Sequence, residues 1–276
     1  MNTTVVSLIS MGSLAGLFAF GLAIASKKFA VETDPKIEEI EEVLPGVNCG
    51  ACGFAGCRSF AEGVASGKAP ANGCPVGGAR VAKLVAEIIG VEAEGPKRKV
   101  AQVLCKGGLA EAKQRGTYDG PRDCHIANAT QGGDKLCTYG CLGYGTCVAA
   151  CKFDAMYMGD NGLPVVIEEN CTGCNKCVEA CPRDIITLVD EEQGVHIRCR
   201  SLLTGRFVRQ QCEVGCIACR RCVKACPTGA IYMEDNLARI DYDKCTNCRE
   251  CVEVCPMNTI DWQEGKPLVL HKEFAS

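Results

Sequence analysis

The chain has 276 residues, a formal net charge of −3 and 24 cysteines, so cysteine use rather than charge or length departs most from the average. Aromatic residues make up only 5% of the chain while glycine occurs 31 times. A conventional apolar core would therefore be thin, and we expect metal clusters to fill part of the interior. The sequence contains no P-loop, dinucleotide-binding glycine motif or nucleophile with a base partner, and we expect no nucleic-acid partner.

The first predicted element is a membrane span. Thr4 to Ala25 form 22 uncharged, mostly apolar positions, which is about the length of a helix that crosses a bilayer. A cleavable signal peptide would carry positive charges before a shorter apolar run, whereas here Lys27 and Lys28 follow it. Residues 1–28 are therefore predicted to be a permanent single-pass anchor in the cell (inner) membrane. The lysines place the following domains on the cytoplasmic side, where thiols stay reduced.

Two short helices are predicted after the anchor. Asp34 and Pro35 form a helix start, with an N-cap followed by proline at the first helical position, and this helix should end before Pro45. A second helical pattern runs from about Ala79 to Ile89. A basic stretch with glycine and proline then indicates a linker.

Between these helices lies NCGACGFAGC, followed by Cys74 and a proline. Four thiols with glycines between them suit a bulky [4Fe-4S] cube that the backbone approaches closely. Zinc is the alternative for this motif, because paired CxxC sequences also bind zinc. The predicted ligands are Cys49, Cys52, Cys57 and Cys74.

Beyond the linker the chain repeats itself. LCTYGCLGYGTCVAAC, which begins at Leu136, aligns with QCEVGCIACRRCVKAC at an offset of 75 residues, and CTGCNKCVEACP aligns with CTNCRECVEVCP at an offset of 74. Short apolar segments after each motif predict small two-stranded elements beside short helices. The predicted fold class is α+β: one transmembrane helix, a small [4Fe-4S] domain and two tandem two-cluster ferredoxin-like repeats. The predicted boundaries are 1–28 for the anchor, 29–94 for the small domain, 95–103 for the linker, 104–190 for the first repeat and 191–276 for the second repeat.

The cysteine spacing of the second repeat predicts two clusters. C-x2-C-x2-C-x3-C-P is the signature of bacterial two-cluster ferredoxins, in which three thiolates hold one cube and the fourth reaches the other. The first predicted ligand set is Cys216, Cys219, Cys222 and Cys255, and the second is Cys245, Cys248, Cys251 and Cys226. Zinc and disulfides fit these dense runs poorly.

The first repeat departs from this pattern. One set follows directly as Cys171, Cys174, Cys177 and Cys151. In the other, Tyr144 stands where a middle cysteine is expected and Lys152 stands where proline would be. Cys137 is the natural substitute for the missing thiol. The predicted set is Cys137, Cys141, Cys147 and Cys181.

Five [4Fe-4S] clusters leave four cysteines over: Cys105, Cys124, Cys199 and Cys212. Two interpretations stay open for them. They could bind a sixth cluster across the two repeats, or they are buried free thiols.

The order of these parts resembles the B subunit of the bacterial Rnf complex in its longer, anaerobe-type form. The resemblance covers nearly the whole chain, and GVNCGACGFAGC is its most specific motif. It implies a subunit of an ion-translocating ferredoxin:NAD oxidoreductase, with soluble ferredoxin as electron donor, membrane lipid around the anchor, and other membrane and flavin-bearing subunits as partners. No bond-making active site is expected in this chain. The rival interpretation is a membrane-tethered polyferredoxin subunit that serves another oxidoreductase, such as a hydrogenase.

Overall fold

The computed structural model describes residues 3–28, 34–92, 95 and 97–269. The helices are α1 Thr3–Lys28, α2 Pro35–Val43, α3 Cys57–Ala65, α4 Gly78–Ile89, α5 Cys124–Thr130, α6 Thr146–Ala149, α7 Lys176–Glu179, α8 Gly205–Gln211, α9 Arg221–Ala225 and α10 Glu250–Glu253. The strands are β1 Lys99–Val103, β2 Met156–Met158, β3 Pro164–Val166, β4 Ile186–Asp190, β5 Val195–Ile197, β6 Ile231–Glu234, β7 Leu237–Ile240 and β8 Ile260–Trp262. Helices and strands are thus mixed, as the α+β class requires.

Helix α1 has the length and composition of a membrane span. Ser7–Lys28 has a mean hydropathy of 2.0, and none of it is buried against the rest of the chain. Large apolar side chains such as Leu14, Leu17 and Phe20 are exposed along it. Its 26 residues would extend for about 39 Å, more than the roughly 30 Å hydrocarbon core of a bilayer. The predicted helix is confirmed, and its surface suits lipid.

Helices α2, α3 and α4 pack together as a small unit. Asp34 caps α2 by accepting a hydrogen bond from the amide of Lys36, as the sequence predicts. Ile40, Phe60 and Val85 are fully or almost fully buried, one from each helix. Burial of each such side chain stabilises the fold by about 1.5–3 kcal/mol. This apolar core supports the loop that carries the N-terminal cysteine motif.

Two small antiparallel sheets follow. Strand β1 pairs with β4, with Lys99 opposite Asp190 and Val103 opposite Ile186, and β2 pairs with β3. Strand β1 lies inside the segment that was predicted to be linker. Its apolar side chains are buried, and its partner strand is more than 80 residues away, which explains why a local sequence pattern did not reveal it.

The last third of the described chain has the same order of parts. Strand β5 pairs with β8, and β6 pairs with β7. In the second pair Ile231 of β6 lies opposite Ile240 of β7. The core here contains small aliphatic side chains together with the thiols of Cys222, Cys245 and Cys251. Cysteine side chains are therefore a structural part of this core.

A partly buried ion pair joins the segment before Cys171 to the last described segment of the chain. Lys266 Nζ lies 2.6 Å from Glu168 Oε2, and their side chains are only 16% and 17% exposed. The amide nitrogens of Gln102 and Gln263 also donate to Glu168 Oε1. Burial raises the pKa of Glu168, but the hydrogen bonds from Lys266 and Gln263 outweigh that effect and leave the pKa below its ordinary value. Glu168 is therefore ionised and satisfied at neutral pH.

We expect Glu168→Gln to lower the free energy of unfolding by about 1–3 kcal/mol, because the Lys266 ammonium would stay buried without its counter-charge. Urea denaturation of the anaerobic protein measures this change. The matched control is Glu179→Gln, which breaks the more exposed pair with Lys176, 33% and 56% exposed. It should change stability by less than about 1 kcal/mol. Equal effects of the two substitutions would contradict the role of the buried pair.

Candidate metal centres

All 24 cysteines lie in the part of the chain that the structure describes, and none of them forms a disulfide bond there. Among these described residues, no group of three Cys, His, Asp or Glu side chains is close enough to hold a single metal ion. A tetrahedral zinc site with Zn–S bonds of about 2.3 Å would need such a group. The thiols instead surround cavities, which suits a larger inorganic cluster with a thiolate at each corner.

Three cavities are each lined by four thiols. In all three cases the four thiols are those of one ligand set that the sequence predicts. The first is lined by Cys216, Cys219, Cys222 and Cys255, the second by Cys151, Cys171, Cys174 and Cys177, and the third by Cys49, Cys52, Cys57 and Cys74. Four thiol donors around one cavity fit a [4Fe-4S] cube.

A fourth predicted set, from the second ferredoxin-like part, also lies together. Burial is the main cause that raises the pKa of the Cys251 thiol, to about 12, and the charges of Cys245, Cys248 and Cys226 add to it. Four thiols this close resist ionising together in the absence of a cation. Binding of iron must therefore displace their protons.

The ligand loops share a backbone feature. The residue that precedes each short ligand-bearing helix has a left-handed conformation: Gly145 before α6 has φ 76°, Asn175 before α7 has φ 69°, Arg220 before α9 has φ 60°, and Arg249 before α10 has φ 69°. This conformation costs about 1–2 kcal/mol for a residue other than glycine. The chain holds it where the loop must curl around the site, as functional sites often do.

The remaining predicted set is only partly brought together. Burial, and then the charges of Cys124 and Cys181, raise the pKa of Cys147 to about 11. Burial is also the main cause that raises the pKa of Cys141 to about 12, followed by the charge of Cys105 and then that of Cys147. Cys124, Cys147 and Cys181 therefore lie near one another, and Cys141 has both Cys147 and Cys105 nearby. Cys137, the predicted fourth ligand, instead lines a different cavity.

That cavity is lined by Cys105, Cys137, Cys199 and Cys212. Three of these are cysteines that the five-cluster assignment leaves over. The sequence contained one signal for this grouping, since Cys137 and Cys212 occupy equivalent positions 75 residues apart. The proximity of Cys124 to Cys147 had no such signal, because α5 lies outside the repeated motifs.

Three segments match families of iron-sulfur proteins. Residues 44–76 match a family described as a putative Fe-S cluster domain. Residues 136–186 and 215–259 each match a family described as a 4Fe-4S dicluster domain. The matched segments contain most of the cysteines that line the cavities.

Several known proteins are similar along most of the chain. The B subunit of the Na⁺-translocating ferredoxin:NAD⁺ oxidoreductase complex of Acetobacterium woodii is 49% identical over 245 residues, which is 89% of this chain and 74% of the relative. The B subunit of an ion-translocating oxidoreductase complex of Methanosarcina acetivorans is 45% identical over 86% of this chain and 91% of the relative. The B subunit of the proton-translocating ferredoxin:NAD⁺ oxidoreductase complex of Clostridium ljungdahlii is 44% identical over 89% of this chain and 87% of the relative.

Proposed function

Because the chain belongs to the family of B subunits of ion-translocating ferredoxin:NAD⁺ oxidoreductase (Rnf) complexes, we propose that it accepts electrons from reduced ferredoxin and relays them to the other subunits. In this proposal the complex couples the transfer to export of sodium ions or protons. The chain itself makes and breaks no substrate bond. The other partners are membrane subunits and a flavin-bearing subunit of the same complex.

The observation that carries this proposal is the grouping of four thiols around each of three cavities. When bound there, [4Fe-4S] clusters supply reversible one-electron chemistry without loss or gain of atoms. The protein residues hold the thiolates, exclude water and set the local charge. We propose five clusters on the sets predicted from the sequence. Cys141, Cys147 and Cys181 belong to the set whose fourth ligand is still to be assigned.

Thiols of neighbouring sites approach one another. Besides the thiols of its own site, Cys147 raises the pKa of Cys177, and Cys222 raises that of Cys251. Lys176 lies near both the site of Cys174 and the N-terminal site. Its pKa is raised mainly by Glu179, and the thiols of Cys174 and Cys49 also raise it. We infer three borders between sites: the N-terminal site with that of Cys174, the site of Cys147 with that of Cys177, and the site of Cys222 with that of Cys251.

The proposed domain organisation follows the order of these sites along the chain. Residues 29–94 form the N-terminal cluster domain, and two tandem two-cluster repeats occupy 104–190 and 191–276. The buried β1 pairs with β4 at 186–190, which supports drawing the start of the first repeat back to 99. The anchor at 1–28 holds the cluster domains at the cytoplasmic face of the membrane, since Lys27 and Lys28 come directly after its apolar stretch.

A test of this function mixes the purified, oxidised chain with chemically reduced ferredoxin without oxygen. The proposal predicts that the chain, separated again from ferredoxin by its tag, has lost visible absorbance and shows the EPR signal of reduced clusters, and that the tagged chain co-purifies from membranes with other integral membrane subunits and a flavoprotein. The rival, a tethered polyferredoxin of another oxidoreductase, predicts co-purification with that enzyme instead. Failure of reduced ferredoxin to bleach the iron-containing protein would contradict the proposed entry of electrons.

A further inference from the structure

The cavity lined by Cys105, Cys137, Cys199 and Cys212 is the feature that the five-cluster assignment leaves unexplained. Like the three cavities described above, it is lined by four thiols. Cys105 and Cys212 are each only 8% exposed. Two of the four thiols come from each ferredoxin-like part, so the cavity lies at the junction between the parts.

Building on the proposed function, we propose that these four thiols hold a sixth [4Fe-4S] cluster, and that Cys124 rather than Cys137 completes the site of Cys141, Cys147 and Cys181. The two statements depend on each other, because Cys137 can serve only one site. Together they assign all 24 cysteines to six sets of four.

Cys105 and Cys199 hold equivalent positions in the two parts. Cys105 lies two residues after strand β1, and Cys199 lies two residues after strand β5. The amide of Cys141 donates to Cys105 Sγ at 3.3 Å, and Cys216 is likewise a close neighbour of the Cys199 thiol. Amide donors to sulfur are what a cluster site uses to stabilise thiolate charge. A similar local arrangement thus occurs once on each side of the cavity.

Cys137 and Cys212 form the second equivalent pair. Each lies four residues before the first cysteine of a ligand loop. Gly107 makes room for one of these sulfurs, because a Cβ there would lie 2.9 Å from Cys212 Sγ. A Cβ on Gly140 would be in ordinary contact, 3.6 Å from Cys137 Sγ and 3.7 Å from Cys105 Sγ, so this backbone lies beside two of the thiols. Both glycines line the cavity.

Positive charge surrounds this cavity. Lys135 is 6% exposed, and its ammonium donates to the carbonyl of Gly107 at 2.8 Å. Arg198 and Arg200 also line the cavity. A cluster held by four thiolates would carry net negative charge. The buried lysine and the arginines would offset that charge, and Arg198 also pairs with Asp261 at 2.9 Å.

Cys124 is placed to take the position that Tyr144 cannot fill. The amide of Cys124 donates to Thr146 Oγ1 at 2.7 Å, which fixes the start of α5 against α6, the helix that carries Cys147. The Tyr144 hydroxyl points elsewhere and donates to Asp134 Oδ2 at 2.9 Å. A cysteine from outside the loop thereby replaces the one that the loop lacks.

The sixth site would connect the two ferredoxin-like parts. On one side, Cys105 accepts a hydrogen bond from the amide of Cys141, a ligand of the first part. On the other side, Cys199 has Cys216, a ligand of the second part, as a close neighbour. A ligand of this site therefore lies beside a ligand of the next site on each side.

Three double variants of the full-length chain test the assignment, each compared with the wild type by iron content and by EPR and Mössbauer spectra. Cys199→Ala with Cys212→Ala is the reference, and we expect it to remove one cluster, about four irons of about 24. Cys137→Ala with Cys212→Ala should match the reference, because both thiols belong to one site. Cys124→Ala with Cys212→Ala should alter the signals of two clusters.

The assignment made from spacing alone predicts the reverse, with Cys124 and Cys212 in one site and Cys137 in another. That reversed pattern would overturn the proposal, as would a wild-type content of about 20 irons that the reference variant leaves unchanged. In the latter case five clusters remain and the proposed function stands. A chain that binds no iron would refute both. Val214→Ala, which changes the lining of the cavity but no thiol, should keep all the iron and serves as the control for packing.

Discussion

Cys251→Ala is expected to cost the protein about four irons and to destabilise the second ferredoxin-like part by at least about 3 kcal/mol. The thiol is 6% exposed, and it belongs to the same core cluster as Ile231 and Ile260. Few large side chains share that core, so the cluster itself must fill much of its volume. Losing the cluster would leave a cavity that small aliphatic side chains cannot close.

Iron analysis, EPR of the reduced protein and urea denaturation under anaerobic conditions measure these effects. Val252→Ala is the matched control, because it truncates the adjacent partly buried side chain without touching a thiol. It should keep all the iron and lower stability by about 1 kcal/mol. A Cys251→Ala protein with full iron content and unchanged stability would contradict the assignment of this thiol.

Removal of residues 2–28 is expected to move the chain, expressed without partner subunits, from the membrane to the soluble fraction. The large apolar side chains of α1 are exposed along its length, and no other described helix has the length and hydropathy of a membrane span. Because none of α1 packs on the rest of the chain, the truncated protein should keep its iron content. Ultracentrifugation of cell extracts and iron analysis of the supernatant measure both outcomes.

A gentler change tests the same helix. Leu14→Arg places a charge near the middle of the apolar stretch and should cost about 2.5–3.5 kcal/mol of insertion free energy. Leu14→Ile is the control and should leave the chain in the membrane. If the truncated chain still sediments with membranes, another surface of the protein must hold it there.

The cysteine spacing predicted which thiols line the three cavities where most of the thiols come from one loop. The loop from Cys216 to Cys222 and its distant partner Cys255 line one cavity, as the ferredoxin pattern requires. Here local geometry is enough, because three thiols on one curled loop face the same point. The four cysteines of the N-terminal motif are a similar case.

Spacing could not reveal the sites that depend on tertiary contacts. Cys124 reaches Cys147 because the start of α5 binds Thr146, a contact that no repeated motif marks. Cys105 reaches Cys137 because β1 pairs with β4 and carries the chain back beside the ligand loop. Because this pairing is between distant segments, the sequence predicts a linker where the structure has strand β1. In both places the choice of partner is made by packing between distant segments.

The electron-relay account depends most directly on what the thiols bind. The deciding measurement is the iron, acid-labile sulfide and zinc content of the full-length chain purified without oxygen, together with EPR of the reduced protein. The account predicts a brown protein with about 20–24 irons, a matching amount of sulfide and the spectrum of interacting reduced [4Fe-4S] clusters. A colourless chain with stoichiometric zinc or with disulfide bonds would contradict it.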